Sequence, residues 1–446
     1  MLPNAIGIRA WGIAGCLWFG TLTAFRRDPA WDLVLEAAVF LLAAASFWRD
    51  DRLRAWRLAM CLAALGGLGV VQLATGHTIS QSATALATLR WFALAAWCVT
   101  IQRESSDVRG RLLELTVHGA GAFALLSLVM AWTSGGRLYW WWPSTHTEAL
   151  GAWVNPNHFA VWGELMLAPA VWFAAEQRRF WWAAATIGTS IAASGSRAGI
   201  ALMALELVLL LILLGWRRRG LWSAKAKLAL GLLMLPLLAV LLSGDPLWRK
   251  LHDPEPLLYR DQMWRSSLAL WRDDPWLGHG LGTFQLAYPA AATFDTGELV
   301  DHAHNDWLEW GVEGGAVLVA AMLAGYLYAV NLTRLVPWLL GVPIAGLHAL
   351  VDYPFARFPM CLWVILLLTL ASLQRSRVKM KPPSARSTRK VASPPKKDPP
   401  PHFRPARDRV KTRYIEFRSV FVGWARENYG RSESSKRRAL AGRKSA

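Results

Sequence analysis

Two histidines and four acids crowd DHAHNDWLEWGVEGG, residues Asp301 to Gly315. His302 and His304 stand two apart, Asp306 follows two further on, and Glu309 and Glu313 complete the group. An apolar run, AVLVAAMLAGYLYAV, comes directly after it and has the composition of a membrane span. Three readings suit this pattern. HxHxD opens a metal motif of metallo-hydrolases. Here Trp307 stands in place of the closing histidine, and no remote His/Cys cluster offers further ligands, so no metal or other cofactor is expected. One histidine can instead be a general base, because neutral imidazole accepts a proton from a hydroxyl near neutral pH. His304 is the stronger candidate, since it sits just before a helix starting at Asn305–Asp306 whose positive end disfavours the protonated ring. His302 is the weaker one. In the third reading Asn305 and Asp306 only cap a span, and the histidines lie at the membrane interface.

Other polar groups belong with this stretch. Arg197 lies in GSRAG, between two short apolar segments, among small residues that let backbone and ligand come close. Arginine at membrane depth is expensive and marks a functional site unless it snorkels to the interface. Arg260 and Arg265, with Arg249 and Lys250 upstream, form a second cationic set. Guanidinium forks match phosphate oxygens bidentately, whether on a substrate or on lipid head groups. Asn157 in VNPNHFA reads as a turn and helix start, and Asp352 with His348 in HALVDYPF as groups near the end of a span. Both sets can line one cavity, and both can equally be solvated span ends.

These residues need a frame, and composition supplies it. Of 446 residues 54% are hydrophobic, 27 are tryptophan and only 18% are charged. Apolar stretches long enough to cross a bilayer recur, near residues 4–25, 31–48, 56–75, 84–101, 112–133, 157–175, 180–195, 198–216, 227–243, 312–331, 335–353 and 358–373. The expectation is an all-α integral membrane protein of about twelve spans with one long outer loop, residues 244–311, between the ninth and tenth. Lys/Arg-rich connections fall on alternate sides of the count, which puts both termini in the cytoplasm and the residues above on the opposite, periplasmic face. The formal net charge of +19 is concentrated from Gln374 onward, where 22 Lys/Arg face 5 Asp/Glu. Residues 1–373 form the membrane body. The Pro/Ser/Lys/Arg-rich segment 374–446 is expected to be a disordered cytoplasmic tail that touches anionic lipid, not nucleic acid. The four cysteines all fall in apolar runs and read as core residues. Within the long loop, Met263, Trp264, Leu268 and Trp271 recur at helical spacing and predict a surface helix, and LGHGLGTF predicts a glycine-rich turn.

Taken together, YRDQMW at 259–264, DDPWLGHGLGTF, HAHNDWLEWGVEGG, NPNHFA and GSRAG resemble the O-antigen ligase family, which also includes glycan polymerases and protein O-oligosaccharyltransferases. The resemblance covers roughly residues 60 to 373. It implies a GT-C-like membrane glycosyltransferase of the inner membrane. Such an enzyme moves a glycan from undecaprenyl pyrophosphate to an acceptor hydroxyl on lipid A–core, another glycan or a protein, without a metal. Residue by residue, it implies that Arg197 and Arg260 engage the pyrophosphate and that His304 activates the acceptor. Alternatives are a polymerase of the same superfamily and a transporter of the lipid-linked sugar. Transporters place charged sites near the bilayer midplane in repeated halves, a pattern the sequence lacks.

Overall fold

The computed structural model describes residues 7–26, 28–47, 56–143, 150–217, 259–293, 297 and 299–380. The sequence-predicted span at 227–243, residues 244–258 with Arg249 and Lys250, and the tail from 381 lie outside the described residues. Among the described residues the chain is helical: α1 (Ile8–Thr23), α2 (Pro29–Phe47), α3 (Trp56–Thr75), α4 (Gln81–Gln102), α5 (Ser106–Thr133), α6 (Pro156–Glu176), α7 (Trp181–Ala193), α8 (Arg197–Arg217), α9 (Arg260–Asp273), α10 (Phe284–Ala287), α11 (Asp306–Thr333), α12 (Gly341–His348) and α13 (Phe358–Met380). One two-residue antiparallel pairing, Arg137–Leu138 with Trp142–Pro143, joins them.

Seven of these helices, α2 to α6, α11 and α13, carry windows long and apolar enough to cross a membrane. The protein is therefore an all-helical, multi-pass membrane protein. Two expected spans take a different form. Residues 180–195 give the 13-residue helix α7. Residues 335–353 break into a 3-10 turn, Pro337–Leu339, and the eight-residue helix α12. The reason is proline: Pro337 and Pro343 each lack an N–H and fit only the first turn of a helix, so the apolar run folds as two short pieces.

α6 is the hub of the bundle. Its apolar residues run round the whole circumference, so it has no solvent or lipid face and is packed by α5, α7, α8, α12 and α13. Tryptophans knit the neighbours together while satisfying their N–H groups. Trp97 donates to the Leu362 carbonyl at 3.0 Å, and Trp363 donates to Thr21 Oγ1 at 2.9 Å.

The second packing unit forms around the start of α11. Here α9 lies against α11 with Met263, Ser266, Ser267 and Leu270 buried, and the Trp271 ring packs on Gly311, where an added Cβ would lie 2.5 Å from it. Ser267 removes its hydroxyl from competition by donating to the Met263 carbonyl at 2.7 Å. The glycine-rich turn then docks against the helix. The N–H groups of His279 and Gly280 reach the carbonyls of Val312 and Glu313, at 2.8 and 3.1 Å. Gln72 of α3, fully buried, uses its amide both ways: it donates to Leu277 and Glu313 carbonyls and accepts from the Leu281 N–H.

The backbone of α11 breaks at Gly315, where φ is 60° and ψ is −160°. The N–H of Ala316 turns to the Pro275 carbonyl at 2.7 Å. A Cβ at Gly315 would sit 2.3 Å from the Trp276 carbonyl. The conformation itself is accessible essentially only to glycine and costs other residues about 1–3 kcal/mol. Gly315→Ala is therefore expected to lower the thermal unfolding midpoint of the detergent-solubilised protein clearly. An unchanged midpoint would contradict the break.

Candidate functional site

Asn305, nearly buried, caps α11: its Oδ1 accepts the Leu308 N–H at 3.1 Å. The carboxylates of Asp306, Glu309 and Glu313 recur three and seven residues along and so share one face of the first two turns. Each ties down a different segment. Asp306 Oδ2 accepts the Phe355 N–H at 3.0 Å. Glu309 contacts His302 Nδ1 at 2.8 Å and accepts the Ala303 N–H at 3.0 Å. Glu313 accepts the Phe284 N–H at 3.2 Å. The backbone N–H of Asp306 itself is shared between the carbonyls of Ala349 and Asp352.

Between these anchors His304 is held at φ 48°, in the left-handed region that non-glycine residues seldom occupy. Its Nδ1 faces Asp352 Oδ1 at 3.6 Å. From the other side His158, fully buried near the start of α6, brings Nε2 to the same oxygen at 3.8 Å. Asp352 Oδ1 also accepts the Tyr353 N–H at 2.9 Å. The Tyr353 ring is a common wall for three imidazoles. His302 stacks on it at 4.3 Å, while His158 and His304 meet it edge-on at 4.7 Å. Neither ring nitrogen of His158 has a hydrogen-bond partner, nor has His304 Nδ1 or Asp352 Oδ2. Buried polar atoms are rarely left so, and here they converge on one place.

Arg260, the first residue of α9, donates from Nη1 to the Val351 carbonyl at 2.6 Å and thereby fixes the residue before Asp352. The remaining guanidinium donors keep their capacity for an anion. Asn157 accepts the Ser196 hydroxyl at 2.6 Å, which brings the loop before Arg197 onto the start of α6. Gly199 completes that approach, because a Cβ there would lie 2.5 Å from Ala160 Cβ. Arg197, half-buried, opens α8 directly after Ser196. Contacts among these residues thus gather the starts of α6, α8, α9 and α11, each carrying the positive end of a helix dipole.

Burial raises the Asp352 pKa, but contact with His304, the flanking imidazoles and Arg260 outweighs it and holds the carboxyl well below its usual range. Asp352 is therefore ionised, and its Oδ1 faces Nδ1 of His304 at 3.6 Å. Burial disfavours the charged form of His302, yet Glu309 beside it prevails and raises the ring above its ordinary pKa.

The structure brings His302, His304, Asp352 and Arg260 together and links Asn157 to the loop of Arg197. Asn305 is occupied as a helix cap. Arg265 lies on the exposed face of α9, away from the buried Met263 and Leu270. The HxHxD side chains engage separate partners: His302 meets Glu309, His304 meets Asp352, and Asp306 holds Phe355. Among the described residues no three His, Cys, Asp or Glu side chains gather as metal ligands. Sequence reasoning passed over His158, Tyr353 and the tethering role of Glu309. His158 was visible as the residue after Asn157, but nothing local marks it as a neighbour of Asp352.

Comparison with known families adds one finding. The O-antigen ligase family model matches residues 182–323, a segment holding Arg197, Arg260, His302, His304 and Glu309. It supports an enzyme of the ligase or polymerase type working on lipid-linked glycans in a membrane. No curated protein matches the chain.

In Glu309→Gln the burial of His302 persists while its counter-charge is gone. Histidine-selective NMR titration should then find the ring titrating below its ordinary value instead of above it. The charged pair stabilises the wild-type fold fully below the unfolded-state pKa of His302, and this contribution is lost as pH rises through the raised folded-state value. The variant should show no such loss in that window, and an equal pH dependence in both proteins would refute the pairing.

Proposed function

We propose that the protein transfers a glycan from a polyprenyl-pyrophosphate donor, undecaprenyl pyrophosphate in a bacterial inner membrane, to an acceptor hydroxyl at the periplasmic face. The observation that carries this reading is the His304–Asp352 pair set beside Arg260 where four helix starts gather. The acceptor oxygen attacks the anomeric carbon while the bond from that carbon to the pyrophosphate oxygen breaks. The hydroxyl proton passes to Nε2 of His304, and Asp352 stabilises the resulting imidazolium. The leaving pyrophosphate gains negative charge, which Arg197, Arg260 and the helix dipoles offset in preorganised positions. Direct displacement inverts the anomeric configuration. Lipid A–core, a growing glycan or a protein can supply the hydroxyl.

Gathering the polar groups at the helix starts favours a transferase over a carrier, whose charged site would sit near the bilayer midplane between repeated halves. The test is transfer by the reconstituted full-length protein from a lipid-pyrophosphate-linked glycan to a mixed acceptor extract. His304→Ala should lose about 10²–10⁴-fold in kcat, the range for a general base. Arg260→Gln should lose about 10²–10³-fold, as for removal of a donor to a developing anion. Activity is expected to survive chelator. A single added glycan indicates ligation and a ladder indicates polymerisation. Undiminished transfer by His304→Ala would remove the proposed base, loss on chelation would restore a metal role, and retained anomeric configuration would exclude direct displacement.

A further inference from the structure

Two carboxylates lie inside the bundle and take no part in the chemistry above. Glu164 is on the hub helix α6, and Glu206 is on α8. Both are fully buried. Glu206 follows Arg197 by nine residues, about 14 Å along the helix at the usual rise. Its buried companions on α8 are Met203, Leu207 and Leu210, an apolar stripe at helical spacing.

The two acids are not equivalent. His348, the last residue of α12, brings Nδ1 to 2.9 and 3.2 Å from the two Glu164 oxygens. Neither oxygen of Glu206 has a hydrogen-bond partner. The elements packed chiefly on α8 are α6, α7, α12 and the turn Pro337–Leu339, and none of them carries Lys or Arg. Their ionisable side chains are His158, Glu164 and Glu176 of α6 and His348 of α12. Around Glu206 itself, the Glu164 carboxylate repels a second negative charge, and the Ala168 N–H lies within reach. An unpaired charge in so dry a place is far more costly than a neutral acid that needs one acceptor for its O–H.

α6 supplies that acceptor. Pro169 lies inside the helix and has no N–H, so the Leu165 carbonyl four residues earlier lacks its usual helix donor. Leu165, Ala168 and Pro169 share one face of α6, the face whose Ala168 N–H is within reach of Glu206. An acid without a partner and a carbonyl without a donor thus stand at the same place, and one proton satisfies both.

We propose that Glu206 is a proton-binding site within the membrane body: it holds one proton, donates it to the Leu165 carbonyl, and leaves Glu164 as the single anion facing His348. The pairing supports the site above it. The loop after His348 takes the Asp306 N–H on its Ala349 and Asp352 carbonyls and Arg260 on its Val351 carbonyl. The bound proton therefore keeps the footing of Asp352 free of a second buried charge. The assignment does not depend on the transfer reading.

The experiment is infrared spectroscopy of the full chain in phosphatidylcholine nanodiscs at neutral pH. Wild type minus Glu206→Gln is expected to show the carbonyl stretch of a protonated carboxyl, a band that carboxylates lack. Glu164→Gln should retain that band. Pro169→Ala returns an N–H to the Leu165 carbonyl, so the band should shift to the position of an acid without an acceptor. Glutamine matches the neutral acid in size and charge, so Glu206→Gln is expected to keep the wild-type unfolding midpoint. No acid band in the difference spectrum would overturn the proposal. Loss of the band in Glu164→Gln would overturn it too, by placing the proton on the other acid. An unmoved band in Pro169→Ala would remove Leu165 as the acceptor. An unfolding midpoint raised by sodium over choline at equal ionic strength, in wild type and not in Glu206→Gln, would make this a sodium site and refute the proton.

Discussion

Three carboxylates on one face of the first turns of α11 organise the described structure. Asp306, Glu309 and Glu313 each accept a backbone N–H from a segment far away in sequence or conformation: the turn at Phe355, the strained stretch at Ala303 and the glycine-rich turn at Phe284. A backbone N–H bonded to a side-chain oxygen away from water makes a stronger bond than one in solvent. The break at Gly315 separates these acidic turns from the apolar run that follows. Remove the tethers and His304, Asp352 and Tyr353 have no reason to meet.

The proposed chemistry rests on how many groups share one oxygen. Asp352 Oδ1 faces two imidazoles and one backbone N–H, while Arg260 steadies the preceding carbonyl. A buried anion in that position orients a neighbouring imidazole more than it stores a proton. The tyrosine ring packed among three histidines fixes their planes relative to each other, and geometry of this kind is difficult to build on flexible loops alone.

Much of this frame is legible in the sequence. The membrane class follows from apolar runs, the Asn305 cap from residue type and position, and the turn at Leu277–Phe284 from its glycines, whose φ values at Gly278, Gly280 and Gly282 are all positive. The errors have equally local causes. The run from residue 335 reads as a span on hydropathy, but its prolines divide it. The His158–Asp352 and His304–Asp352 contacts join residues with no shared periodicity, and no local pattern encodes them.

The family-matched segment, residues 182–323, cannot be an interchangeable module. Its turn is held by Gln72 from before it, its loop at Ser196 by Asn157, and its His304 faces Asp352 from beyond it. Gln72 uses its amide as donor and acceptor at once, so neither glutamate nor leucine can replace it in kind. A chimera that exchanges only this segment between two relatives would carry a sound segment into an unmatched socket.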